Sequence, residues 1–246
     1  MNLIIDIGNN SVKTAVVNQH RILGSFRYNY ASMPDILLLK KEFPEIDKVI
    51  LSSVTDIDKK FITRLKSGFR YFCMLDHTTD LPITNNYRSK ETLGYDRIAA
   101  VVGAVHLFPG NYVMVIDAGT AITFDFINEK MEYTGGSISP GLAMRFRALN
   151  SFTGKLPLVK ENSDFELTGN TTEKSIISGV QNGIVFEIEK YIETIVAQHP
   201  DCRIILTGGD ALFFEKILKK HIFVEPNLIF YGLNKILEHN IENSKT

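Results

Sequence analysis

The chain has 246 residues, 44% hydrophobic and 22% charged, an ordinary globular balance with length for one large domain or two small ones. A formal net charge of -1 offers no basic field for nucleic acid, and no apolar run approaches the roughly 20 residues of a membrane span. Asp6 interrupts the opening apolar run too early for a signal peptide, and Cys73 and Cys202 lie far apart without metal-type spacing, so the expectation is a cytoplasmic protein with reduced thiols and neither nucleic-acid nor membrane partner.

Three strand-like segments come first, Leu3–Ile7, Val12–Asn18 and Ile22–Tyr28, at the short spacing of consecutive hairpins. A helical pattern follows around Pro34–Phe43, where Pro34 suits a first helical turn. Lys48–Ser53 reads as a strand, Ile57–Lys66 as a helix and Tyr71–Leu75 as a strand, while the polar stretch Asp80–Leu93, with Pro82, reads as a loop. Asp96–Leu107 is predicted helical, since Ile98, Val101, Val102 and Val105 recur at helical spacing.

At Tyr112–Asn128, "YVMVIDAGTAITFDFIN", the opening repeats itself: an apolar run, an aspartate, a glycine, a hydroxyl residue and a second run. Lys130–Ser139 supplies a third strand and Gly141–Leu149 a helix. A long helix around Thr172–Gln198, a strand at Arg203–Thr207 ending in "GGD" and a final helix near Leu228–His239 complete the chain. The two aspartates, Asp6 and Asp117, are offset by 111 residues (117 minus 6). A unit this long is no solenoid repeat. It predicts two duplicated α/β lobes facing a cleft, residues 1–110 and 111–246, each a mixed sheet flanked by helices.

A strand ending in aspartate, followed by a tight glycine turn, aims backbone N–H groups and hydroxyl or amide side chains at one point, as a phosphate site requires. The carboxylate can hold a divalent cation through water. Neither hairpin is a Walker A loop, because no GxxxxGK[ST] is present. Either could also be a plain turn, for which Gly and Asn are well suited. Asp96 stands where it could cap the following helix, and Arg97 where it could be an exposed helix-start charge. Tyr87 could be a loop aromatic, Thr172 an N-cap, and Lys13 a solvent-facing strand residue. The six histidines have no metal-binding spacing.

Seven segments in this order resemble type III pantothenate kinases of the acetate and sugar kinase, Hsp70 and actin superfamily: "DIGNNSVK" (Asp6–Lys13), "GYDRIAA" (Gly94–Ala100), "DAGTAIT" (Asp117–Thr123), "GGSISPGLAM" (Gly135–Met144), "TGKLP" (Thr153–Pro157), "TTEKSIISG" (Thr171–Gly179) and "TGGD" (Thr207–Asp210). The resemblance spans nearly the whole chain. It implies duplicated ribonuclease H-like, or actin-like ATPase, lobes and ATP-dependent phosphorylation of pantothenate to 4'-phosphopantothenate, the first step toward coenzyme A. By the same resemblance Asp6, Ile7, Gly8, Asn9, Asn10, Ser11, Val12, Lys13 and Thr120 face the phosphates of ATP, and Gly208 and Gly209 an adenosine-facing turn. Asp6 sits near Mg2+, and Asp117 matches the position for a monovalent cation, K+ or NH4+. Tyr87, Gly94, Tyr95, Asp96, Arg97 and Thr172 match substrate contacts, with Asp96 as general base. A homodimer is also implied, with the substrate pocket near the subunit interface.

The first hairpin departs from the family at Asn10, where threonine is usual; Ser11 follows, and either can donate to phosphate. Two other readings fit the same superfamily. One is a different small-molecule kinase or phosphohydrolase, and the other a non-catalytic regulatory accessory protein.

Overall fold

The computed structural model describes residues 1–9, 11–29, 38–218 and 220–244. Its first strand, β1 (Asn2–Ile7), is buried at every position, which explains why its sequence is a continuous apolar run rather than an alternation. It is the centre of a sheet completed by β2 (Val12–Asn18), β3 (Arg21–Tyr28), β4 (Lys48–Ser53) and β5 (Tyr71–Met74), in the order β3-β2-β1-β4-β5. β1 and β2 form an antiparallel hairpin, whereas β4 returns parallel to β1. Of the helix expected at Pro34–Phe43, residues 34–37 lie outside the described ones, and α1 spans Leu39–Glu42. Helix α2 (Lys59–Gly68) starts two residues later than expected because Asp58 caps it, accepting from the Lys60 amide at 2.9 Å.

The stretch expected as a loop, Asp80–Leu93, contains the short strand β6 (Thr84–Asn85) and a 3-10 turn at Lys90–Thr92. Helix α3 (Tyr95–Leu107) follows. The second hairpin, β7 (Val113–Ala118) and β8 (Ala121–Ile127), leads to β9 (Glu132–Pro140), α4 (Leu142–Ser151), α5 (Thr172–Gln198) and β10 (Arg203–Thr207). A short helix α6 (Ala211–Glu215) and strand β11 (Phe223–Val224) were not foreseen, since neither is long enough to carry a periodic pattern. Helix α7 (Leu228–Asn243) ends the described chain, a full turn longer than expected.

The second sheet runs β6-β9-β8-β7-β10-β11, and within it β9-β8-β7-β10-β11 repeats β3-β2-β1-β4-β5 strand for strand, with β7–β8 antiparallel, β10 parallel to β7 and the short β6 added beside β9. The internal repeat in the sequence is thus a repeat of topology.

By contacts the chain divides into one unit of Met1–Pro109, Met131–Thr134 and Asn227–Thr246 and another of Gly110–Lys130 and Gly135–Pro226. The core of the first includes Leu3, Ile5, Val12, Val16, Val49 and Leu51. In that unit α7 also packs on α3. A Cβ on Gly232 would stand 1.7 Å from the Ala99 carbonyl oxygen, and one on Gly103 2.3 Å from the Leu228 carbonyl oxygen. The two helices therefore approach backbone to backbone, which only glycine permits. The second unit's core joins Ile116, Phe124, Phe146, Ile184 and Leu206 across its sheet and helices α4 and α5.

Candidate functional site

In the first unit, Asp6 occupies the penultimate position of β1, opposite Lys13 on β2 and beside Ser52 on β4. Lys13 therefore shares a sheet face with Asp6, because directly paired residues point the same way. Asp6 is only 4% exposed. Burial pushes its carboxyl up from the ordinary 3.8 to about 6; the positive charge of Lys13 pulls it back, the negative charge of Asp96 pushes it further up, and Ser52 draws it down. The two aspartates expected at metal and base thus feel one another's charge. Ser52 was not singled out from sequence. The cue was available: it is one of two polar residues closing the apolar strand Lys48–Ser53.

The turn between these strands is closed by the Gly8 amide donating to the Ser11 carbonyl at 3.0 Å. Asn9 is exposed and Ser11 buried, while Asn10 lies outside the described residues. Ile7 and Val12 place their side chains in the hydrophobic core, so only their backbone can face a ligand.

Helix α3 begins one residue earlier than expected, with Gly94 at the N-cap and Tyr95 as its first residue. Asp96 is therefore inside the first turn, not at the cap, and its Oδ1 accepts from the Arg97 amide at 2.8 Å. The unpaired N–H groups of a first turn favour an ionised carboxylate there. Gly94 leaves the space for it: a Cβ at that position would stand 2.5 Å from Asp96 Oδ1. Arg97 is not an exposed helix-start charge. It is 5% exposed, with its guanidinium 5.6 Å from the centre of the Tyr87 ring. Tyr87 in turn stacks on Tyr133 at 6.2 Å, and its amide donates to Asn85 Oδ1 at 3.0 Å. Tyr133 was missed because it lies 46 residues beyond Tyr87 (133 minus 87), in a strand that pairs with β6 only in the fold.

In the second unit, the β7–β8 hairpin matches the first but is tighter. Its turn, residues 119–121, is closed by the Gly119 amide donating to the Ala121 carbonyl at 3.0 Å. Asp117 lies opposite Thr123 and beside Thr207 of β10. Gly208 has φ +99°, and a Cβ on it would stand 2.4 Å from both Asp117 Oδ1 and the Ala118 carbonyl oxygen. Glycine is required there twice, by conformation and by space. The Gly141 amide donates to the Thr120 carbonyl at 3.1 Å, tying the hairpin to the start of α4, and the space around Gly209 is open. Thr172 is not in this cluster. It is the first residue of α5, whose cap is Thr171, accepting from the Lys174 amide at 3.2 Å. Thr172 lines a cavity of about 1180 Å³ with Pro140, Arg145, Phe152, Thr171 and Val180 among its walls.

The burial of Asp6 has a consequence for stability. Its folded pKa of about 6 exceeds its ordinary 3.8, so the folded chain binds this proton more readily than the unfolded one. The resulting stabilisation is fully present below pH ~4 and is lost as pH rises through 6. A shift of two units is worth roughly 3 kcal/mol. In metal-free buffer Asp6→Asn is expected to raise the melting temperature at pH 7.5 and to narrow the gap between pH 5 and pH 7.5. A lower melting temperature at pH 7.5 would contradict the assignment of a carboxylate destabilised by burial.

The architecture has known counterparts. A glucokinase from an Antarctic psychrotroph superposes with a TM-score of 0.52 at 11% identity, covering 97% of this chain and 98% of that one. A Campylobacter jejuni protein named for the Baf family of transcriptional activators superposes with a TM-score of 0.64 at 23% identity, covering 98% and 99%. These likenesses show a shared fold, the duplicated α/β architecture of two mixed sheets flanked by helices. The narrower grouping comes from the sequence: the profile of the family described as "Type III pantothenate kinase" matches residues 2–194. A Christiangramia forsetii protein named Type III pantothenate kinase is 44% identical over 247 residues, covering 98% of this chain and 99% of its own. The chain belongs to the type III pantothenate kinase family and is a phosphotransferase.

Proposed function

We propose that the protein transfers the γ-phosphoryl group of ATP to the primary hydroxyl of pantothenate, giving 4'-phosphopantothenate for coenzyme A synthesis. The observation that carries this reading, within a chain of this family, is the pair at the start of α3. A first-turn carboxylate stands next to a buried guanidinium stacked on Tyr87. Pantothenate bears one group for each: a hydroxyl for Asp96 and a carboxylate for Arg97, which guanidinium binds bidentately. In the first unit Tyr87, Gly94 and Tyr95 complete the substrate contacts; Thr172, in the second unit, is assigned to substrate on the family resemblance.

Phosphoryl transfer runs through a loose transition state, so Asp96 mainly orients the hydroxyl and takes its proton late. A late proton acceptor of this kind need not be a strong base. In the first unit the turn at residues 8–11 and Lys13 are assigned to phosphate; in the second, Thr120 is assigned to phosphate and the turn at Gly208 and Gly209 to adenosine.

Mg2+ fits at Asp6, a buried hard-oxygen donor whose pKa burial raises in spite of the nearby charge of Lys13. Asp6 would hold the ion, which would neutralise phosphate charge. A monovalent cation, K+ or NH4+, fits at Asp117, where Gly208 lets the Ala118 carbonyl and the carboxylate share one small cradle. The protein works in this reading as a cytoplasmic homodimer.

The test is ADP release from Mg·ATP with and without pantothenate, in potassium or in sodium alone. Turnover is expected only with pantothenate, and faster in potassium. ADP release that ignores pantothenate would identify a hydrolase instead.

A further inference from the structure

Helix α7 carries no residue of the proposed site, yet in the first unit it touches both parts of the substrate-facing surface. One part is α3, held against α7 by the glycine contacts at Gly103 and Gly232. The other is the segment that leads from β5 to Tyr87. Asp80 of that segment is gripped by the last two turns of α7. Asn243 Nδ2 donates to Asp80 Oδ2 at 2.6 Å, His239 Nε2 lies 3.0 Å from the same oxygen, and Asn240 Nδ2 donates to the Asp80 carbonyl at 2.8 Å. Beyond Asp80 the segment is fastened by the buried Ile83 and by the Thr84 and Asn86 amides, which donate to the Met131 and Tyr133 carbonyls at 2.9 Å each. Tyr87 follows directly, against Arg97 and Tyr133.

We propose that the Asp80 clamp on α7 is a positioning device for pantothenate binding: α7 is the common support that fixes Tyr87 relative to Arg97. Three polar groups spaced over residues 239–243 converge on one residue, Asp80, whose side chain is otherwise 61% exposed. An exposed aspartate with no structural duty would not collect both a side-chain pair and a main-chain bond from one helix end. A clamp on an exposed residue is also of modest strength, so its loss loosens the segment without unfolding the unit.

The inference rests on the pantothenate kinase reading, and two independent readouts separate their failures. Asp80→Ala and Asn243→Ala are each expected to raise KM for pantothenate about five- to tenfold, equivalent to ~1–1.4 kcal/mol, with KM for ATP unchanged within twofold. Asp80→Asn, which keeps an acceptor oxygen, is expected to restore KM for pantothenate to near the parent value. In the same variants, amide hydrogen exchange at Asn86 and Tyr87 should quicken several-fold while β1 and β4 stay protected. Equal changes in both KM values, or no rescue by Asp80→Asn, would overturn the clamp. If the parent protein shows no pantothenate turnover, the kinase reading fails, and the exchange rates alone decide whether Asp80 holds the segment: unchanged rates overturn the clamp.

Discussion

Asp96→Asn is expected to leave the melting temperature within a few degrees of the parent while lowering kcat by about 10²- to 10⁴-fold, the usual contribution of a positioned acid–base group. Asparagine keeps the size of aspartate and an oxygen that can accept from the Arg97 amide, so the start of α3 is preserved. What it lacks is the capacity to take a proton from the substrate hydroxyl. Initial rates of ADP release at saturating ATP and pantothenate, alongside thermal denaturation, check both halves. A kcat near that of the parent would remove Asp96 from the role of base. The variant also has a second consequence. Asp96 is one of the charges that raise the pKa of Asp6, so its neutralisation should lower that pKa.

Gly232→Ala is expected to cost about 3 kcal/mol, the upper part of the range for overpacking, because the added methyl meets backbone rather than a side chain that could turn away. The obstacles are the Ala99 carbonyl oxygen at 1.7 Å, its carbon at 2.6 Å and the Gly103 amide nitrogen at 2.9 Å. Helices α3 and α7 must then separate. For a chain of this size the cost corresponds to a fall of roughly 6–12 °C in melting temperature. Gly179→Ala within α5 is the control, since its Cβ would meet nothing within 4 Å and alanine is the better helix former. A melting temperature for Gly232→Ala equal to that of the parent would mean that the α3–α7 contact is looser than described. Because α3 carries Asp96 and Arg97, activity should fall along with stability.

Much of this protein can be read from one sequence because its signals are local. β2, β4, α5 and β10 occupy the expected residues, each bounded by a turn or cap in its own sequence. The two Asp–Gly hairpins and the spacing between them revealed the duplication, and the repeated strand order follows from it. The residues of the proposed site were likewise visible as motifs, because polar groups at the end of an apolar strand stand out from a chain that buries such strands.

Other properties depend on partners distant in sequence, and there the linear pattern was silent. The sequence left Arg97 open between an exposed helix-start charge and a substrate contact; it is buried, with Tyr87 over its guanidinium. Nothing in "GNNS" foretells that Asp6 is raised to about 6, since that shift needs burial and the nearby charge of Asp96. The return of α7 to the first unit depends on Gly103 and Gly232, 129 residues apart (232 minus 103), neither of which belongs to a periodic motif. The sequence by itself supplied the candidates for phosphoryl transfer, through the motifs it shares with a known family and the chemistry of their side chains. Tertiary structure alone decided which of them are desolvated, charged and held in place, because desolvation and close packing are set by neighbours the chain supplies from far away.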